Sequence, residues 1–245
     1  MQSLPRLLAE KPALLGTFCT LGSVEAVELA CHAGFDFLII DGQHGAFELG
    51  GLREALRAMQ AAGCFPIVRL PANGMMLVEC LLDMGYPALL APMVNTPGQA
   101  AELATAAHYP PCGLRSQSSC RASLRDAAYR QAFNHDFSLL VMIEHIDAVA
   151  AIDDIAALPG VAGCFVGTTD LASSMGDGAT REAIDAAVER VRSATLAAGK
   201  IAAIAASSIE AAGRYRAQGF GLIVVATDRR LLGTALAQVM TGWQA

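Results

Sequence analysis

Short apolar runs alternate with helical stretches from one end of the chain to the other. Eight of these runs read as strands: 14–18 (LLGTF), 36–41 (DFLIID), 66–70 (PIVRL), 88–93 (ALLAPM), 139–144 (LLVMIE), 163–167 (GCFVG), 201–205 (IAAIA) and 222–227 (LIVVAT). They are continuously apolar rather than alternating, as expected of parallel strands covered on both faces. Helix punctuation lies between them. Gly63 follows a helical stretch at 48–61 and Gly85 follows one at 75–83, each placed as a C-terminal stop. Thr96-Pro97 supplies an N-cap and a proline at the first helical position. Ser207-Ser208-Ile209-Glu210 has the spacing of a capping box, ahead of a helix that ends near Gly219.

Eight strands, each followed by a helix, in a chain of 245 residues match the arithmetic of a (β/α)8 TIM barrel. No linker or low-complexity tract divides the sequence, so residues 1–245 read as a single domain. The one long gap, 94–138, is filled by a helix at 97–107, a Tyr109-Pro110-Pro111 loop and an extra helix at 121–134. A doubly wound open sheet is the alternative. It lacks support because Gly16 and Gly22 do not form the G-x-G-x-x-G turn that such a sheet uses for a dinucleotide.

Composition narrows the functional classes. Apolar residues make up 54% of the chain and charged residues 16%, which excludes a disordered segment. A net charge of −6 without any basic run gives nothing for a nucleic-acid backbone to bind, and fits a metabolic enzyme whose subunits bury surface against one another. Seven cysteines with no C-x-x-C, mostly inside apolar runs, read as reduced thiols of a cytoplasmic protein. The longest uncharged stretch, 84–101, is broken by Pro87, Pro92 and Pro97, so no bilayer span is expected. The stretch 12–24 reads as the first strand rather than a signal segment, because the charges before it are mixed in sign. Of the 17 basic residues, only Lys11 and Lys200 are lysines.

Chemistry in a barrel sits at the C-terminal ends of the strands. Those ends carry Asp41, Gln43 and His44 after the second strand, Arg69 on the third and Glu144 closing the fifth. Asp170 follows the sixth and Asp228 the eighth. Glu144 and Asp170 are hard oxygen ligands of the kind Mg2+ or Mn2+ takes, with the other positions left to water and substrate. A 2-oxo acid chelates such an ion, which polarises the ketone and acidifies the neighbouring C–H. Arg69 is then placed to hold an enolate oxygen and His44 to move a proton. Plainer roles stand beside these: Asp41 as the cap of a turn, Arg69 as an ion-pair partner inside the barrel. His32, His108, His135 and His145 read as structural, Asp153-Asp154 as a solvated helix face, and Arg229-Arg230 as the start of the last helix. Both lysines precede strands and so fall at the non-catalytic end. An imine-forming aldolase is therefore not expected.

GFDFLIIDGQH (34–44), PIVRL (66–70), LLDMGYPALLAPMV (81–94), YPPCGLRS (109–116), VMIE (141–144) and GCFVGTTDLASSMG (163–176) together resemble the HpcH/HpaI family, the metal-dependent class II aldolases of 2-oxo acids. The resemblance implies a TIM barrel assembled as a homo-oligomer, a hexamer built as a trimer of dimers with an exchanged C-terminal helix. It implies a divalent metal on Glu144 and Asp170, Arg69 on a pyruvate enolate and His44 in proton transfer. Asp41 and Asp83 match aspartates that orient the histidine, one reaching in from a neighbouring subunit. Arg69, Gln43 and the backbone at Thr168-Thr169 are the expected substrate contacts.

The chain departs from the family pattern at four places. Gln43 stands for a Glu, Met142 for a Gln, Arg115-Ser116 for R-G, and G-T-T-D-L for G-P-x-D-L. GTFCT (16–20), MIE (142–144) and Arg115-Ser116 are similar to a branch that makes citrate from oxaloacetate and acetyl-CoA for siderophore synthesis. Three functions follow: cleavage or formation of 4-hydroxy-2-oxo acids through a pyruvate-type enolate, a citrate synthase-like condensation, or a non-catalytic barrel binding a small acid. The intact Arg69, His44, Glu144 and Asp170 speak against the last.

Overall fold

The computed structural model describes residues 3–244, with the backbone alone at Arg125. Among these residues eight parallel strands close into a barrel in sequence order, with β1 (Leu14–Cys19) paired to β8 (Leu222–Thr227). Between them run β2 (Phe37–Asp41), β3 (Phe65–Arg69), β4 (Ala88–Ala91), β5 (Ser138–Ile143), β6 (Val161–Val166) and β7 (Ile201–Ala206). Helix α1 (Leu4–Glu10) precedes the barrel. Its surround is built by α2 (Val24–His32), α3 (Leu49–Ala62), α4 (Met75–Met84), α5 (Pro97–Ala107), α6 (Arg121–Arg125) and α7 (Tyr129–Asp136). It is completed by α8 (Ile146–Ala150), α9 (Ile152–Ala157), α10 (Thr168–Met175), α11 (Arg181–Ala197) and α12 (Ile209–Ala217), with α13 (Asp228–Gln244) last. The chain is a single-domain (β/α)8 TIM barrel.

Because both strand faces are covered, successive side chains enter two different cores. Leu14, Phe37, Ile39, Phe65, Ile67, Leu140, Met142, Phe165 and Val224 fill the barrel. Their alternates, such as Leu38, Ile40, Val68, Leu89, Val141 and Val166, pack under the helices. This period of two aims the site. Counting on from Phe37 and Ile39 gives Asp41, from Phe65 and Ile67 gives Arg69, and from Leu140 and Met142 gives Glu144. Each is therefore the next inward position where its strand ends.

Several element ends differ from expectation. The helix expected at 121–134 is two helices, because the Asp126 carboxylate accepts the N–H of Ala128 at 2.9 Å and turns the chain between them. Ser208 alone caps α12, accepting from Ala211 N–H, and the expected capping box is formed instead at Thr96 with Gln99. β4 stops at Ala91, short of the expected residue 93, since Pro92 has no N–H to continue the ladder. Helix α1, with no counterpart in the sequence reading, closes the floor of the barrel by burying Leu4 among the inward residues.

Candidate active site

The site begins with the turn after β2. Asp41 and Arg69 are register partners on adjacent strands, and both are buried. Arg69 donates Nε to Asp41 Oδ1 at 2.9 Å and Nη2 to Oδ2 at 2.5 Å, a forked pair that fixes the guanidinium plane. Asp41 Oδ1 also accepts the backbone N–H of Gln43 at 3.0 Å and of His44 at 3.1 Å. Asp41 thus sets the direction of His44 through its main chain rather than its ring. Burial alone would raise the Asp41 carboxyl, but the Arg69 bonds and charge, with the two N–H donors, hold it below the usual carboxylate range. The Arg69 guanidinium lies 4.9 Å from the centre of the Phe18 ring, which meets Phe165 edge-on at the bottom of the cup. The third guanidinium nitrogen, Nη1, takes no part in the bonds to Asp41.

Glu144 faces this pair across the mouth. It is only 2% exposed, and its Oε1 accepts the N–H of Met93 at 2.6 Å. Burial pushes its carboxyl above the ordinary range; the Met93 N–H opposes this, the charge of Asp170 adds to it, and Arg69 and His44 pull back. Glu144 therefore feels the charges of Asp170, Arg69 and His44 together. Gly167 is what admits Glu144: a Cβ there would sit 2.7 Å from Oε2 and 2.9 Å from the Glu144 Cβ. The cradle and its two carboxylates suit a divalent cation that keeps water and substrate in its remaining positions. Among the described residues no group of three or more His, Cys, Asp or Glu is assembled as a complete cage. Beyond Gly167, α10 begins without a side-chain cap, so the N–H groups of Thr168 and Thr169 are open to an anion.

The structure brings together Asp41, Gln43, His44, Arg69, Glu144, Thr168, Thr169 and Asp170. It does not bring Asp83 to the site of its own chain. Asp83 lies near the end of α4 remote from the catalytic rim and accepts Arg115 Nη2 at 2.7 Å. Asp228 is likewise engaged elsewhere: it accepts Thr20 N–H and Oγ1, both at 2.8 Å, and ties β8 to the end of β1. Both lysines stand at the N-terminal end. Lys11 pairs with Asp36 at 2.7 Å, and Lys200 donates to Val161 O at 2.6 Å. Neither reaches the rim, so imine chemistry has no nucleophile. His108 is buried against Phe137, and His145 caps α8, as structural histidines do. Gly167 and the Met93 N–H escaped the sequence reading. The glycine is signalled by its place two residues after inward Phe165; a backbone donor leaves no such trace.

A model of the family described as HpcH/HpaI aldolase/citrate lyase matches residues 14–235. A hydroxypyruvate/pyruvate aldolase of Agrobacterium fabrum is 35% identical over 230 residues, 90% of this chain and 85% of that protein. Among solved structures, an HpcH/HpaI aldolase/citrate lyase family protein of Burkholderia cenocepacia superposes with a TM-score of 0.92 at 34% identity, covering 100% of both chains. The citrate synthase SbnG superposes with a TM-score of 0.88 at 28% identity over 99% of both.

Proposed function

The chain belongs to the HpcH/HpaI aldolase/citrate lyase family, and on that premise we propose that it is a metal-dependent aldolase acting on 4-hydroxy-2-oxo acids through a pyruvate-type enolate. The observation that carries this reading is Glu144: a buried carboxylate with Oε1 held by main chain and Oε2 against Gly167, close enough to Asp170 to feel its charge. Glu144 and Asp170 are the ligands for Mg2+ or Mn2+, which when bound polarises the 2-oxo group and acidifies the adjacent C–H. The open N–H groups of Thr168 and Thr169 take the substrate carboxylate, and Gln43 lies on its approach. His44 accepts the proton of the C4 hydroxyl as the C3–C4 bond breaks and the aldehyde leaves. The bonding pair becomes the enolate, whose oxygen Arg69 Nη1 holds, an interaction worth about 3–4 kcal/mol in a dry site. Protonation at C3 then yields pyruvate.

Exchange of pyruvate methyl protons with D2O, followed by NMR, tests the enolate directly. It is expected with Mg2+ or Mn2+, and Arg69→Lys, which keeps the charge but loses the fork, should slow it by about 10²–10³-fold. Absence of exchange with either ion removes the pyruvate enolate from this site.

A second reading is favoured by the likeness to SbnG and by Met142, an inward apolar side chain whose Cε lies against Gly167 where the family carries a polar residue. In that reading the barrel joins oxaloacetate to acetyl-CoA. Free thiol released from acetyl-CoA only when oxaloacetate is present would establish it. Seven free thiols fit a reducing compartment such as the cytoplasm. No helix among the described residues is long and apolar enough to cross a membrane. The exposed face of α13 fits packing against a second copy of the chain, within the hexamer that the family resemblance implies.

A further inference from the structure

Met93 adopts a φ of 52°, in the left-handed region that residues bearing a Cβ avoid. Two hydrogen bonds explain why the chain accepts this. The reversal turns the Met93 N–H inward onto Glu144 Oε1, at 2.6 Å, while the side chain points outward and is 43% exposed. The carbonyl of the same peptide group, Pro92 O, accepts Nδ2 of Asn73, also at 2.6 Å. One peptide unit therefore has a side-chain donor on its oxygen and a buried carboxylate on its hydrogen. An amide that accepts at oxygen is polarised and donates more strongly at nitrogen, and a plane held at both ends does not rotate.

Asn73 lies on the loop that follows Arg69, Met93 lies just past β4, and Glu144 immediately follows β5. The relay thus runs across three neighbouring strands and links the loop after the arginine to the carboxylate. We propose that Asn73 is a positioning residue for Glu144, acting through the Pro92–Met93 peptide, and that this relay occupies Oε1 and leaves Oε2 as the oxygen offered to the divalent cation. The proposal rests on the reading of Glu144 as a metal ligand. Asn73 makes its hydrogen bond to Pro92 O and not to the carboxylate, and its exposure makes truncation compatible with folding.

The test is a titration of full-length protein with Mn2+ alone, without substrate, for the native sequence, Asn73→Ala and Met75→Ala. Met75 is an exposed residue just beyond the same loop and serves as the control. Partners beyond the metal ligands usually change affinity by about 10–100-fold, and one peptide further out Asn73→Ala is expected to weaken Mn2+ by roughly 3–10-fold. Met75→Ala stays within about twofold of the native protein. In the metal-free protein the Met93 amide proton should move upfield in Asn73→Ala, as its peptide loses polarisation. An Asn73 that only anchored the loop would lower Tm or raise KM and shift the Met93 amide, but leave Mn2+ affinity unmoved. Native-like Mn2+ affinity in Asn73→Ala overturns the proposal while the metal site stands, whatever the Met93 amide does. A native protein that binds neither Mn2+ nor Mg2+ overturns the metal reading, and the relay's role with it.

Discussion

Asp41 divides one carboxylate among four donors: two nitrogens of Arg69 and the N–H groups of Gln43 and His44. With its folded-state pKa held down, it contributes stability above the unfolded value of about 3.9, and that contribution is lost as pH falls below it. Asp41→Asn should cost about 3 kcal/mol at pH 7, because it leaves the Arg69 charge buried and unpaired. The same variant should lose less stability than the native protein between pH 5 and pH 3. Urea midpoints across that range check both signs together. Gly167 offers a complementary probe. Its φ of −94° is open to any residue, so Gly167→Ala is a test of space alone. With a methyl 2.7 Å from Oε2, Glu144 must move, and Mn2+ affinity should fall by about 10–100-fold while the strain costs about 1–3 kcal/mol. Calorimetric titration beside a thermal melt separates these two effects.

Element by element, the strands were legible because an apolar run flanked by glycine and proline allows few other structures, and the turn chemistry of Thr96-Pro97 set the start of α5 at the right residue. The rim residues Asp41, Arg69 and Glu144 were legible for the same reason: each is an ionisable group at the end of an apolar run. What stayed hidden depends on contacts distant in sequence. Helix α1 is short, and its purpose appears only when Leu4 meets the barrel floor. Asp83 read as catalytic because of its motif, but which end of α4 it occupies is settled by tertiary structure. There it meets Arg115, a buried guanidinium that lies 4.5 Å from the ring centres of both Tyr109 and Phe133 and donates to the Tyr129 hydroxyl at 3.2 Å. Arg115 thereby fastens the 109–116 loop to α4. Asp83→Ala should destabilise the protein by about 1–2 kcal/mol, less than a fully buried pair because Asp83 is half-exposed. Chemical denaturation of the variant measures this cost whatever Asp83 does in a neighbouring subunit.

At the scale of the molecule, the apolar excess is more than one barrel uses. Leu232, Leu236, Val239 and Trp243 are spaced four, three and four residues apart along α13, so they form one stripe, and every side chain from Arg229 to Gln244 is exposed in the single chain. Asp228 fixes only the first turn, through Thr20 and Leu21. Full burial of such a leucine or valine stabilises by about 1.5–3 kcal/mol, which gives the stripe a strong drive to find a partner. A second copy of this chain offers the same stripe, and a twofold contact makes it self-complementary. Trp243 is the single tryptophan of the sequence, so its fluorescence reports on this helix alone. The native protein should run as an oligomer by light scattering, with an emission maximum blue-shifted as for a buried indole, although Trp243 is 84% exposed in the isolated subunit. Leu232→Glu combined with Leu236→Glu should release smaller species and shift the emission to the red while far-UV circular dichroism stays that of a folded barrel. A native protein that is monomeric, with solvent-exposed emission, would leave the stripe without a partner and the α13 assembly refuted.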